Sequence, residues 1–176
     1  MFMLATMRVE AATLEDCRAI AEVHVASWQR AYEHIFPAEY LATLSISERE
    51  SSWREALEAH SPHVLVARSD GKVLGFAAFG PSRDEGASPT CGEVWAIYLT
   101  PSSWSKGVGR LLWLAALERL LEQGFQSVTL WVIAGNDRAI KFYTSAGFIS
   151  ESASMQEFTR GGVELREVRY VYQRPA

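Results

Sequence analysis

Between Glu93 and Leu112 the chain reads EVWAIYLTPSSWSKGVGRLL: an apolar run, a proline, a glycine-spaced turn and then an amphipathic pattern. Ser105-Lys106-Gly107-Val108-Gly109-Arg110 sets two glycines and two cations where a strand hands over to a helix. The first N–H groups of a helix lack intrahelical partners and point together into one small volume. That volume suits an anion, because the partial positive charge of the helix end adds to Lys106 and Arg110. Gly107 and Gly109 let a ligand come close to the backbone. The chemistry on offer is capture of a phosphate or pyrophosphate, although the same spacing also serves an ordinary strand-to-helix turn.

Two nucleotide-binding patterns fail on these residues. A Walker loop ends in Gly-Lys-Ser/Thr, whereas Gly109 is followed by Arg110-Leu111 and no hydroxyl is placed for Mg²⁺. A nucleotide-phosphate hydrolase is therefore a weak reading. The dinucleotide fingerprint needs a third glycine where Leu112 stands, and an acid at the end of the next strand, where Ile133-Ala134 stand.

Trp104-Ser105-Lys106-Gly107-Val108-Gly109 resembles the pyrophosphate loop of the GNAT superfamily of acyl-CoA-dependent N-acetyltransferases, Q/R-x-x-G-x-G/A. Trp104 departs from the usual Gln or Arg, which weakens side-chain contacts more than a site built on backbone N–H groups. A second block resembles the family's strand-helix segment: Leu130-Trp131-Val132, then Asn136 to Ile140, Phe142-Tyr143 and Gly147-Phe148. The resemblance covers about Arg8 to Gln173. Through His24 to Trp28, Ala31-Tyr32, Pro37 and Tyr40-Leu41 it extends to a broad bacterial subgroup acting on small molecules or peptides.

The resemblance implies an α/β fold: a mixed central sheet with splayed parallel strands that admit acetyl-CoA as co-substrate, with no metal. It implies that Ile97, Tyr98 and Leu99 bond the pantetheine arm like an added strand and that the Asn136 amide touches it. Trp104, Ser105, Lys106, Gly107, Val108, Gly109 and Arg110 would hold the pyrophosphate. Tyr143 stands where the family has a tyrosine near the CoA sulfur; a phenol of pKa about 10 stays protonated at neutral pH and can protonate a departing thiolate. The Leu99 N–H is expected to meet the oxyanion. Glu93 stands at the position of a general base in members that use one, and is otherwise a solvated strand-end carboxylate. Such a base matters because an alkylammonium of pKa near 10.4 is neutral at pH 7 only to roughly one part in 10³ to 10⁴.

The first two helices and the hairpin loops wall the acceptor pocket in this fold, which offers Trp28, Tyr32, Glu33 and Phe36. Trp28 and Tyr32 lie four apart on one helical face, where they either flank an amine or pack the helix onto the sheet. Trp95, Trp113 and Trp131 read as core or pocket-wall residues.

Periodicity supplies the elements that position these groups. A strand over Arg8 to Ala11 precedes a helix capped by Thr13 and ending near Ser27 or a few residues later. Pro37 opens a helix through Leu44, and Ser47 to Ala59 reads as a further helical piece. Strands Val64 to Arg68 and Val73 to Phe79 form a hairpin about Asp70-Gly71, and Pro81 to Gly92 reads as a polar, mobile loop. Glu93 to Leu99, Gly107 to Gln123, Ser127 to Val132 and Asn136 to Ala146 alternate strand and helix, which predicts a parallel strand pair. Ser154 to Thr159 and Leu165 to Gln173 close as a hairpin across Gly161-Gly162.

At 176 residues, 48% apolar and 22% charged, the chain fits one domain, 1–176, with its motif-bearing core over about 8–173. A net charge of −4 and no cluster of lysine and arginine beyond the phosphate turn argue against nucleic acid. The apolar opening Met1 to Met7 is shorter than a signal-peptide core and no run is long enough to span a bilayer, so a cytoplasmic protein is expected. Cys17 and Cys91 lack metal or redox spacing and read as packed or peripheral thiols; the four histidines show no zinc-type arrangement. The sequence thus predicts acetyl-CoA-dependent transfer of acetyl to a primary amine of a small molecule or peptide, with a homodimer as the candidate assembly. The alternative is a non-catalytic acyl-CoA sensor.

Overall fold

The computed structural model describes residues 7–174. The expectation for the apolar opening stretch therefore falls, apart from Met7, outside the described residues. Seven strands make one sheet: β1 (Arg8–Ala11), β2 (His63–Ser69), β3 (Lys72–Pro81), β4 (Cys91–Leu99), β5 (Ser127–Ile133), β6 (Ile149–Arg160) and β7 (Val163–Gln173), in the order β1-β2-β3-β4-β5-β7-β6. Every neighbouring pair is antiparallel except β4 and β5. The expected parallel pair is there, and it is the middle of the sheet.

Helices cover both faces. α1 (Cys17–Ala31), α2 (Ala38–Ala42) and α3 (Ile46–Glu58) precede the central strands; α4 (Val108–Glu122) and α5 (Asp137–Ser145) follow β4 and β5. On α4, Val108, Leu112, Ala116 and Leu120 recur at helical spacing and bury against Leu65, Ala77, Phe79, Val94, Val128 and Leu130. Ile20 and Val23 of α1 bury on the other face against Val64, Val66, Phe76 and Ala78. Among the described residues no helix is long and apolar enough to cross a membrane.

The structure fixes the end that the sequence reading left open for α1, ends α2 at Ala42 rather than Leu44, starts β4 at Cys91 rather than Glu93, and departs from that reading again at β6 and the loop after β3. α1 runs to Ala31, because Arg30 and Ala31 continue its turn until the Tyr32 N–H closes on the Trp28 carbonyl at 3.0 Å. β6 starts at Ile149, and its alternation is broken by a register shift between Glu151 and Gln156, which hides its first half from a period-two pattern. The polar loop after β3 is tied down: Arg83 pairs with Glu93, while Asp84 accepts from Trp131 Nε1 at 2.8 Å and Arg169 Nη1 at 3.0 Å.

His24 sits on the inner face of α1 in an aromatic cluster, stacked on Tyr98 with ring centroids 5.0 Å apart, and its Nδ1 accepts from Trp53 Nε1 at 3.1 Å. Burial, aided by the charge of Arg49, lowers its pKa to about 3. The folded protein keeps His24 neutral while the unfolded chain takes up a proton below about pH 6.5, so stability is lost as pH falls from 6.5 towards 3. Between pH 6.5 and 5 this loss is about 1.5 kcal/mol. His24→Asn keeps an acceptor for Trp53 and removes the titration. Urea unfolding at both pH values should therefore show a smaller drop in the variant by about that amount; equal drops would contradict it.

Candidate active site

The parallel strands β4 and β5 are paired only at their first three positions, Cys91 with Ser127, Gly92 with Val128 and Glu93 with Thr129. Beyond them the strands part. The ladder between β3 and β4 shifts register between Ala78 and Phe79, so that Trp95 has no opposite number on β3. This bulge turns the strand: Val94 faces the α4 side, yet Ala96, two residues on, faces α1. β5 keeps its whole length on β7, from Ser127 with Gln173 to Ile133 with Glu167, and so does not follow β4.

The gap opens a cavity of about 730 Å³ that passes from the α4–α5 face to the α1 face. Thr100 N–H donates to the Leu74 carbonyl at 2.8 Å, which fixes the phase of the β3–β4 ladder. In an antiparallel ladder the pairs alternate, so Tyr98 spends its N–H on β3 while Ile97 and Leu99 turn theirs towards the gap. Tyr98 contributes its side chain to the cavity rather than its backbone.

On the α4–α5 side the glycine turn closes the cavity. Gly107 is left-handed at φ 84° and caps α4 without a side-chain partner, which leaves the first N–H groups of the helix free. A Cβ at Gly107 would meet nothing within 4 Å, whereas one at Gly109 would lie 3.2 Å from Phe142 Cε2. The two glycines thus differ: Gly107 permits the turn, and Gly109 permits α4 to pack on α5. Ser105, Gly107, Gly109, Arg110, Arg138 and Lys141 line this half, and Arg138 lies over the Trp104 ring at 4.2 Å. Val108 is buried, so only its N–H can serve a ligand. Lys106 is exposed and not among the lining residues.

Three phenols meet in the middle. Tyr143 from α5, Tyr98 from β4 and Tyr32 from the end of α1 line the cavity, and burial raises the pKa of each above the ordinary tyrosine value. All three stay protonated across the neutral range. Tyr143 is 9% exposed and packs edge-on against Phe142 and Phe148. Asn136 caps α5, accepting from the Ala139 N–H at 3.2 Å. Trp28, 7% exposed, packs with Tyr32 and Phe36, and its indole N–H has no hydrogen-bond partner among the described residues.

On the α1 side the cavity is lined by Ser27, Ala31, Tyr32, Trp95, Tyr98 and Trp131. Glu93 is not among the lining residues. It is 2% exposed, and its carboxylate accepts the Arg83 N–H at 2.8 Å and two hydrogen bonds from the Arg83 guanidinium. Arg83 in turn lies over the Trp95 ring at 4.1 Å. Glu33 faces solvent, pairing with Arg30 and His34.

The structure thus brings together Ile97, Leu99, Tyr98, Trp104, Ser105, Gly107, Gly109, Arg110, Asn136, Tyr143 and Tyr32 around one cavity. It leaves Glu33, Glu93, Lys106, Val108 and Trp28 out of the lining. Sequence reading did not single out Arg83, Asp84, Arg138 and Lys141. The basic residues Arg138 and Lys141 carried a signal, since they lie three apart on one face of α5; the Asp84 contacts are long-range and carried none.

A family model described as the acetyltransferase (GNAT) family matches residues 10–148. The chain is 40% identical over 162 residues to the uncharacterized N-acetyltransferase YuaI of Bacillus subtilis, covering 91% of this chain and 89% of that protein. It is 30% identical over 107 residues to a mycothiol acetyltransferase of Paenarthrobacter aurescens, spanning 60% of this chain but only 33% of that one. The fold is similar to the PaiA N-acetyltransferase of Thermoplasma acidophilum in complex with coenzyme A, with a TM-score of 0.71 at 23% identity over 92% of this chain and 98% of that one. An N-acetyltransferase of Staphylococcus aureus Mu50 superposes with a TM-score of 0.76 at 21% identity over 96% of this chain and 99% of that one. The chain belongs to the GNAT acetyltransferase family.

Proposed function

We propose that this chain is an acetyl-CoA-dependent N-acetyltransferase that moves acetyl directly to a primary amine of a small molecule or peptide. The observation that carries the reading is the continuous cavity through the strand gap, cationic at one mouth and aromatic at the other, with Tyr143 between them. A sensor needs only the first mouth. Family membership and the coenzyme A found with the PaiA relative support the same reading. Two free thiols, one of them buried, fit a reducing compartment, and we place the enzyme in the cytoplasm.

Acetyl-CoA supplies the thioester-activated acetyl group. The free N–H groups of α4, with Arg110, Arg138 and Lys141, hold its phosphates, and Ile97 and Leu99 offer backbone groups to its arm as a neighbouring strand would. Asn136 orients the arm from the start of α5, across the gap. The Leu99 N–H meets the carbonyl oxygen as negative charge develops on it. Tyr143 holds its proton against ionisation and delivers it to the departing sulfur; the desolvation that raises its own pKa raises that of a thiolate beside it, which keeps the two matched. Glu93 is assigned to anchoring Arg83 and Trp95. The acceptor proton leaves through water or an acceptor group.

Acetyl-CoA at a hundredfold excess over its Kd should stabilise the protein by about 2.7 kcal/mol. Gly107→Glu sets bulk and negative charge against the phosphates and should abolish the corresponding Tm shift; a folded Gly107→Glu protein with wild-type affinity would remove the turn from the site. Tyr143→Phe keeps the packed ring and should lower kcat by on the order of 10²-fold with acetyl-CoA affinity retained. Single-turnover transfer at the wild-type rate would return Tyr143 to a packing role.

A further inference from the structure

The half of the cavity beyond Tyr143 has an unusual electrostatic make-up. None of its lining residues, Ser27, Ala31, Tyr32, Trp95, Tyr98 and Trp131, carries a charge. Three carboxylates behind this wall are engaged by guanidiniums, while Glu167 accepts from the Gln156 amide. Glu93 is held by Arg83, and Asp84 and Glu151 are both held by Arg169. Two further guanidiniums reach the cavity with their fields. Arg49 of α3 acts on His24 and Tyr98, and Arg160 of β6 acts on Tyr32 and Tyr98. Arg49 and Arg160 have no carboxylate within 4 Å among the described residues.

The walls themselves are aromatic and braced. Trp95 and Trp131 stand on the two parting strands just past the last paired residues, Glu93 and Thr129. Arg83 covers Trp95 at 4.1 Å, and Arg169 lies 5.9 Å from the Trp131 ring while Asp84 holds its N–H. A ring with a guanidinium on one face gives a second cation on the other little net attraction, because the two cations repel across it. Among the described residues the one carboxylate lining the cavity is Asp137, at the start of α5 with Arg138 and Lys141; the phenols are protonated, and His24 behind Tyr98 is a very weak base. An alkylammonium would find neither a carboxylate nor a neutral base among the residues lining this half. A flat neutral ring would meet two indoles.

We propose that the acceptor is a weakly basic aromatic amine, bound uncharged with its ring against Trp95 and Trp131. The inference rests on the acetyl-transfer reading above and narrows it. The amine lone pair forms the C–N bond to the acetyl carbon as the C–S bond breaks. Tyr143 gives its proton to the sulfur, and the proton lost from nitrogen returns through water to restore the phenol. The products are the aryl acetamide and free coenzyme A.

The test compares aniline with cyclohexylamine, rings of similar size but opposite protonation at pH 7, by free-thiol release from acetyl-CoA against an enzyme-free blank. Aniline should show the higher kcat/KM by about tenfold or more, since cyclohexylamine is neutral to only roughly one part in 10³ or less. Trp95→Ala and Trp131→Ala should each raise KM for aniline about three- to tenfold with acetyl-CoA affinity unchanged, and Trp131→Phe, which keeps a ring, should largely restore it. Cyclohexylamine turning over as well as or better than aniline would overturn the inference and leave the acetyltransferase standing, as would a wild-type KM in both alanine variants. Failure of aniline with acetyl-CoA bound would likewise overturn the inference.

Discussion

A sheet that breaks its own ladder in the middle must satisfy the backbone groups it exposes. β4 and β5 exchange pairing only from Cys91 to Glu93, and from Val94 onward each strand turns one row of N–H and C=O groups into the gap. Buried unpaired backbone groups cost about 1–3 kcal/mol each, so the gap must hold water or a ligand that pairs like a strand. The opening is held from outside: β3 grips β4, β7 grips β5, and the bulge at Trp95 sets the direction in which β4 leaves. Everything chemical in the molecule is arranged around that opening.

The two faces of the sheet then take different tasks. On the α4–α5 face the uncapped start of α4 and three basic side chains gather positive charge where phosphates would lie. On the α1 face carboxylates are consumed in pairs with arginine, and the lining is aromatic and uncharged. Tyr143 stands at the junction, buried enough to keep its proton and lining the cavity that joins the two halves. Glu93 shows how a contact across a loop bears on a position that sequence alone defines. It occupies the strand location of a base, but the loop after β3 folds back and Arg83 takes its carboxylate.

Much of this was legible in the chain because it is local. The glycine turn, the cap at Asn136, the stop at Gly147 and the strand-helix alternation depend on residues within a few positions of one another, where backbone preference and periodicity act. The groups that sequence misplaced depend on contacts across the fold. Trp28 and Tyr32 share a helical face, yet the β6–β7 hairpin covers Trp28 and leaves Tyr32 on the cavity. Glu33, one residue further, points to solvent. The Asp84 link to Trp131 and Arg169 spans up to 85 positions, and only the assembled sheet creates it.

Backbone amide exchange at three adjacent residues of β4 tests the central claim most directly. If the gap seats the acyl-CoA arm as a surrogate strand, the Ile97 and Leu99 amides exchange fast in the free protein and slow by about tenfold or more on saturation with coenzyme A, while Tyr98, paired to β3, is slow in both states. Exchange at Ile97 and Leu99 that is unchanged by saturating coenzyme A would contradict it.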